Sequence, residues 1–140
     1  MTRPSASVQT MVAYPLTDAG LDRYAAASRN MTALIQKNPA VLNKLKPTPG
    51  DAPDSVEDTV TFSKKHCPEC VAAVEKSGMP YRDYVVFQGS LLIAYVSARS
   101  PRNASRVHVS PDNIKFVLAN KPKIERILAA QRTQPATPKQ

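Results

Sequence analysis

Thirteen prolines against only four glycines, with no tryptophan, punctuate this chain of 140 residues. Inside a helix a proline removes a hydrogen bond and clashes with the preceding turn, whereas at the first helical position it is well tolerated. Pro15, Pro39, Pro68, Pro111 and Pro122 therefore suit short helices started and stopped by proline better than strands joined by glycine turns. The length corresponds to about one domain, which leaves no room for separate cofactor and substrate domains. A hydrophobic share of 42% and a charged share of 21% lie within ordinary globular usage, so the chain is expected to fold rather than remain wholly disordered.

Residues 1–15 show no period and contain Pro4 and Pro15, which predicts a flexible N-terminal arm. Thr17 reads as an N-cap, with Leu16 and Leu21 at the positions of a hydrophobic staple and Asp18 in the first turn. Leu21, Tyr24, Ser28, Met31 and Ile35 recur at alternating spacings of three and four, the stripe of a helix that ends at Asn38 before Pro39. Asn38-Pro39 predicts the cap and first residue of a short helix carrying Val41, Leu42 and Leu45. Residues 46–54, with three prolines and a glycine, predict a loop.

Beyond that loop, Asp54 and Glu57 have the offset of a capping box, and Val56, Val60 and Ser63 share a helical face. The β-branched run Thr59-Val60-Thr61 is compatible with a strand, but helix is the preferred assignment. Cys67-Pro68 opens a further helix with Val71 and Val74 inward, and Gly78 supplies a left-handed terminus. Residues 81–98 are apolar nearly all round, as expected of a central helix surrounded by others. Gly89, in its middle, predicts a neighbouring backbone at close approach. A basic loop, 99–109, leads to Ser110-Pro111, the cap and first residue of a helix with Ile114, Val117 and Leu118 inward. Pro122 kinks or restarts it, and Ile124, Ile127 and Leu128 continue the stripe. The expected architecture is all-α: one helical domain over 16–131, five or six short helices packed around the 81–98 helix, and a disordered basic tail over 132–140.

Charge is unevenly placed. Residues 1–98 are close to neutral, whereas residues 99–140 carry nine basic groups against two acidic ones. Such a segment draws in anions, so Arg99, Arg102, Arg106, Lys115, Lys121, Lys123 and Arg126 are the candidate binding residues. An acidic protein face, anionic lipid and nucleic acid are the partner classes. The aromatic side chains that would stack on bases are missing from this stretch except for Phe116, so sequence-specific nucleic-acid recognition is not expected and only non-specific phosphate contact remains as an alternative. The longest apolar-rich run, 84–98, falls short of the roughly 20 residues a membrane span requires.

His66-Cys67-Pro68-Glu69-Cys70 is the stretch with the most chemical potential. Two thiols three residues apart close a structural disulfide if the protein is exported, stay as buried free thiols if it is cytosolic, or bind a soft metal, and Cys67 at a helix N-terminus is where a redox thiolate would be favoured. The redox alternative lacks the upstream strand of its usual βαβ setting. Zinc would require Cys67, Cys70, His66 and His108, all the cysteines and histidines present, without the local histidine spacing of a finger. No phosphate-cradling glycine loop, nucleophile elbow or metalloprotease helix motif occurs. No catalytic residue beyond the redox candidates and no cofactor is expected.

Leu16-Thr17 followed by Tyr24, Gly78-Met79 leading to Arg82-Asp83-Tyr84, and Pro111-Asp112-Asn113 followed by Phe116-Val117 together span most of 16–128. This pattern resembles small, all-helical bacterial cell-envelope proteins of uncharacterised function, from which Pro80, Pro122 and the Cys67/Cys70 pair depart. The resemblance implies export with a removed leader, a periplasmic or secreted location, and no enzyme chemistry; it transfers no site residue. No signal-peptide apolar stretch is visible in residues 1–14, so a cytoplasmic location is the alternative. The expected function is that of a non-enzymatic binding or structural protein with a basic C-terminal surface.

Overall fold

In the computed structural model, which describes residues 6–45, 55–100, 102 and 109–132, the chain folds as a single packed domain of helices. The elements are α1 (Ala6–Ala13), α2 (Asp18–Lys37), α3 (Val41–Lys44), α4 (Val56–His66), α5 (Pro68–Glu75), α6 (Tyr81–Arg99), α7 (Pro111–Ala119) and α8 (Lys121–Arg132). No strand occurs among the described residues. The predicted loop at 46–54, most of the basic loop including Arg106 and His108, and the tail beyond Arg132 lie outside the described residues.

The start of α2 follows the sequence closely. Thr17 Oγ1 accepts from the Gly20 amide at 3.0 Å, and Leu16 and Leu21 are both buried in the same core. The whole predicted stripe is inward: Leu21, Tyr24, Ser28, Met31 and Ile35 are all buried. At Lys37 the helix stops, and the Asn38 amide donates to the Leu34 carbonyl at 2.8 Å. Ser110 caps α7 by accepting from the Asp112 and Asn113 amides, with Pro111 in the first turn. Pro122 restarts rather than kinks: Asn120 ends α7 and α8 begins at Lys121.

Helix α6 is central, packing against α1, α2, α4, α5 and α7. Its first amide, on Tyr81, donates to Glu75 Oε2 of α5 at 3.1 Å, so a side chain from the preceding helix serves as the cap. At Gly20 the crossing with α2 is tight: a Cβ there would lie 2.8 Å from Phe87.

Two apolar cores run along these helices. The first collects Leu16, Leu21, Tyr24, Met79, Phe87, Leu91, Ala94, Val109, Val117 and Ile124 from α2, α6, α7, α8 and their flanks. The second collects Ala27, Met31, Ile35, Val41, Cys67, Cys70, Val71, Val74 and Tyr81 from α2 to α6. Tyr84 packs against both, and its ring stacks on Tyr24 with centroids 5.4 Å apart.

Several local expectations are corrected. The predicted arm contains α1, which lies against α6; its Met11 side chain, not a backbone, occupies the space a Cβ at Gly89 would need. A short helix gains its stability from such a tertiary contact, which local periodicity does not register. The short third helix begins at Val41, two residues beyond Pro39. Ser55 caps α4, accepting from Asp58 N at 3.0 Å, and Glu57 pairs with Arg82 at 2.6 Å, while Asp54, the other half of the expected capping box, lies outside the described residues. Leu92 (38% exposed), Val96 (50%) and Leu118 (58%) face outward, so α6 is buried on its Val86, Phe87, Ser90, Leu91 and Ala94 side rather than all round.

Candidate functional site

Cys67 and Cys70 form a disulfide across the first turn of α5, with Cα atoms 5.2 Å apart. Pro68 starts the helix, and Cys67 is its N-cap residue, as the sequence suggested. The sulfur that would receive the helix-terminal N–H groups is instead committed to Cys70, and Cys67 makes no side-chain cap hydrogen bond. Both residues are 0% exposed within the second core, beside Val71, Val74 and Tyr81. The pair therefore staples the α4–α5 corner, and in this bonded form neither sulfur is a thiolate ligand. His66 is exposed and its ring packs on Phe62 at 4.3 Å. Among the described residues no cluster of three histidine, cysteine or carboxylate side chains is arranged around a common point.

The basic residues singled out from the sequence are distributed over separate segments. Arg99 ends α6, exposed, its guanidinium 5.9 Å from the Tyr95 ring centroid. Arg102 and Lys115 are also exposed. Lys121, Lys123 and Arg126 share α8, which is fixed to the rest of the fold by fully buried Ile124 and by a hydrogen bond of 2.9 Å from the Tyr95 hydroxyl to Glu125 Oε2. Lys123 also pairs with Asp22 of α2.

Between α2 and α8 lies an open groove of about 430 Å³. From α2 it is lined by Ala25, Ser28, Arg29, Thr32, Ala33 and Gln36, a face that advances by three and four residues along one side of the helix. Lys123, Arg126, Ile127 and Ala130 of α8 form the opposite wall with the same spacing. Small residues, Ala25 and Ala33 on one side and Ala130 on the other, leave the gap. Its surface is mostly apolar, yet three of its lining residues are cationic. Among the described residues neither Arg29 nor Arg126 has an ion-pair partner.

Arg99, Arg102, Lys115 and Lys121 stand outside this groove, whereas Lys123 and Arg126 are brought together with Arg29. Arg29 was passed over because, in the sequence, it is simply the polar neighbour of a buried stripe. The available signal was the pair Ala25 and Ala33, small residues one turn either side of it on a long helix. Comparison with protein-family models, curated proteins and solved structures finds no match.

Buried phenols are the other polar groups of note. Tyr81 donates to Ser63 Oγ at 2.9 Å, and burial pushes its pKa above the ordinary tyrosine value despite that bond. Tyr84 is raised further, chiefly by burial and then by the neighbouring Tyr24 and Tyr81. These groups are neutral packing elements at physiological pH. At the surface, Lys44 lies 2.5 Å from Glu69 and lowers its carboxyl pKa through their hydrogen bond.

Proposed function

We propose that the chain is a non-enzymatic helical binding protein of the bacterial cell envelope, periplasmic or secreted, that holds an anionic partner against its basic C-terminal side. The observation that carries this reading is α8, which projects Lys121, Lys123 and Arg126 from a helix anchored by buried Ile124, with Arg29 facing it from α2. Cations held on rigid helices are preorganised for an anion, and they need not be ordered when the partner arrives. An anionic lipid surface is the favoured partner: these cations flank apolar side chains, Ile127 and the alanines, rather than exposed aromatic rings on which bases would stack. The Cys67–Cys70 disulfide supports an oxidising compartment, where such bonds persist.

A second reading, thiol redox through Cys67 and Cys70, is favoured by the placement of Cys67 at the start of α5. Full burial of both residues weighs against it, because exchange requires an attacking thiolate to reach a sulfur in line. Rapid alkylation of the reduced protein at pH 6 together with insulin reduction would favour this alternative.

Flotation with vesicles containing an anionic phospholipid, beside DNA and RNA in parallel, tests the binding reading. Binding to the vesicles at low salt that weakens steeply as salt rises is expected, since the contact is mainly electrostatic. Preference for DNA or RNA would shift the reading to non-specific nucleic-acid binding, and no binding to any of the three at low salt would remove it. Mass spectrometry of native, non-reduced protein should recover Cys67 and Cys70 joined.

A further inference from the structure

Resting on that anion-binding reading, we infer that the groove between α2 and α8 is a binding site for a single-chain carboxylate amphiphile, with its head at Arg29 and Arg126 and its chain along Ala25, Ala33 and Ile127. Three observations converge on this ligand class. The groove volume, about 430 Å³, lies within the usual range of small-molecule sites, roughly 300–1,000 Å³. By area its surface is predominantly apolar, with alanines and Ile127 interspersed among Ser28, Thr32 and Gln36, which offers an acyl chain an apolar strip to lie along. The charged members of that lining are all cationic, so the groove selects the sign of a headgroup as well as offering apolar area.

The charges also limit how much anion the site accommodates. Lys123 is already paired with Asp22 of α2, which leaves the guanidinium groups of Arg29 and Arg126 for the ligand. Guanidinium is the side chain best matched to a planar carboxylate, which it binds through two parallel hydrogen bonds. A neutral alcohol of equal chain length would gain the apolar contact but not the charge-assisted bonds, and a cationic amphiphile would meet two like charges.

The experiment uses the full chain and decanoate as probe, kept below its micellar range, with decanol, decyltrimethylammonium and acetate as comparisons. Calorimetry should give one decanoate per chain, with acetate and decyltrimethylammonium showing no saturable binding and decanol weaker by about tenfold or more, the equivalent of about 1.4 kcal/mol. Amide shifts in the NMR spectrum should map to residues 25–36 and 123–130. Arg29→Glu combined with Arg126→Glu should weaken decanoate binding at least tenfold, and Ala33→Leu, on an exposed position, should weaken it by occupying the groove without lowering helical content. Vesicle binding without decanoate binding overturns this inference and leaves the broader anion-surface reading standing, whereas loss of both removes both. Equal affinity for the cationic and anionic amphiphiles, shifts confined to Leu92, Val96 and Leu118, or a concentration-dependent dimer closing the groove would each overturn it.

Discussion

The core around Cys67 and the core around Asn113 share α2 and α6 but are closed by different means. In the first, a covalent bond joins residues only three apart in sequence, so it secures one helical corner and little else. In the second, a single buried side chain ties distant parts of the chain together. Asn113, 4% exposed, accepts from Leu16 N at 3.0 Å and donates to the Tyr14 carbonyl at 2.9 Å, gripping the backbone on both sides of Pro15. These contacts span 97 and 99 residues and fix the junction of α1 and α2 to α7. Ser90 of α6 donates to the same Tyr14 carbonyl at 3.1 Å. The comparison separates chemical conspicuousness from architectural reach. It also separates chemistry from accessibility: the cysteines are sealed in one core, whereas the other core buries Ile124 and so presents the cations of α8 outward.

The largest expected effect probes the shared helix. Leu91→Ala removes a fully buried side chain from the Asn113 core and should cost about 2–5 kcal/mol in denaturant unfolding. A change near zero would show that α6 is not the central element.

Asn113→Ala and the double replacement Cys67→Ser, Cys70→Ser put the two closures in direct opposition. Removing the Asn113 carboxamide leaves the Leu16 amide without its partner, while the Tyr14 carbonyl keeps the Ser90 hydroxyl, at a cost of about 1–3 kcal/mol for the one unsatisfied buried group. Removing the disulfide frees only a very short loop, for which chain entropy supplies about 2 kcal/mol. The readouts differ in extent: hydrogen exchange should accelerate in α1 and the start of α2 for the Asn113 variant, but around α4 and α5 for the cysteine variant. Uniform acceleration in both would merge the two cores into one cooperative unit.

Alkaline titration tests the seam between the cores. Burial raises the pKa of Tyr81 and Tyr84 above the ordinary tyrosine value of 10.0, so the folded state retains phenolic protons that the unfolded chain releases. Stability is therefore unaffected by these groups below pH 10 and falls as pH rises beyond it. Phenolate absorbance and helical circular dichroism followed together should change in concert, and ionisation of all five tyrosines at pH 10 without unfolding would contradict the buried stack. The smallest effect is expected at Leu92→Ala, within about 0.5 kcal/mol, because that side chain is 38% exposed.

Much of this arrangement was legible in the sequence where short-range physics governs it. Thr17, Ser110 and the stripe from Leu21 to Ile35 declare themselves because capping and the helical period act within a turn or two. Asn113 was invisible as a hub: at the third position of a helix it reads as an ordinary polar residue, and its partners are backbone atoms nearly a hundred residues away. Leu92 and Leu118 misled for the converse reason, since composition identifies apolar residues but not which of them lack a neighbour. The same blindness applies to the groove, where Arg29 meets Lys123 and Arg126 only through the pairing of α2 with α8.

The central claim is that binding resides on the α8 side and not at the cysteine motif. It is tested most directly by measuring association with anionic vesicles at low salt for two variants side by side: Arg29→Glu, Lys123→Glu, Arg126→Glu, and Cys67→Ser, Cys70→Ser. With both confirmed as folded by circular dichroism, the charge-reversed protein should lose at least tenfold in affinity while the cysteine variant binds as the parent does. Retained binding in the charge-reversed protein, or loss in the cysteine variant alone, would contradict the account.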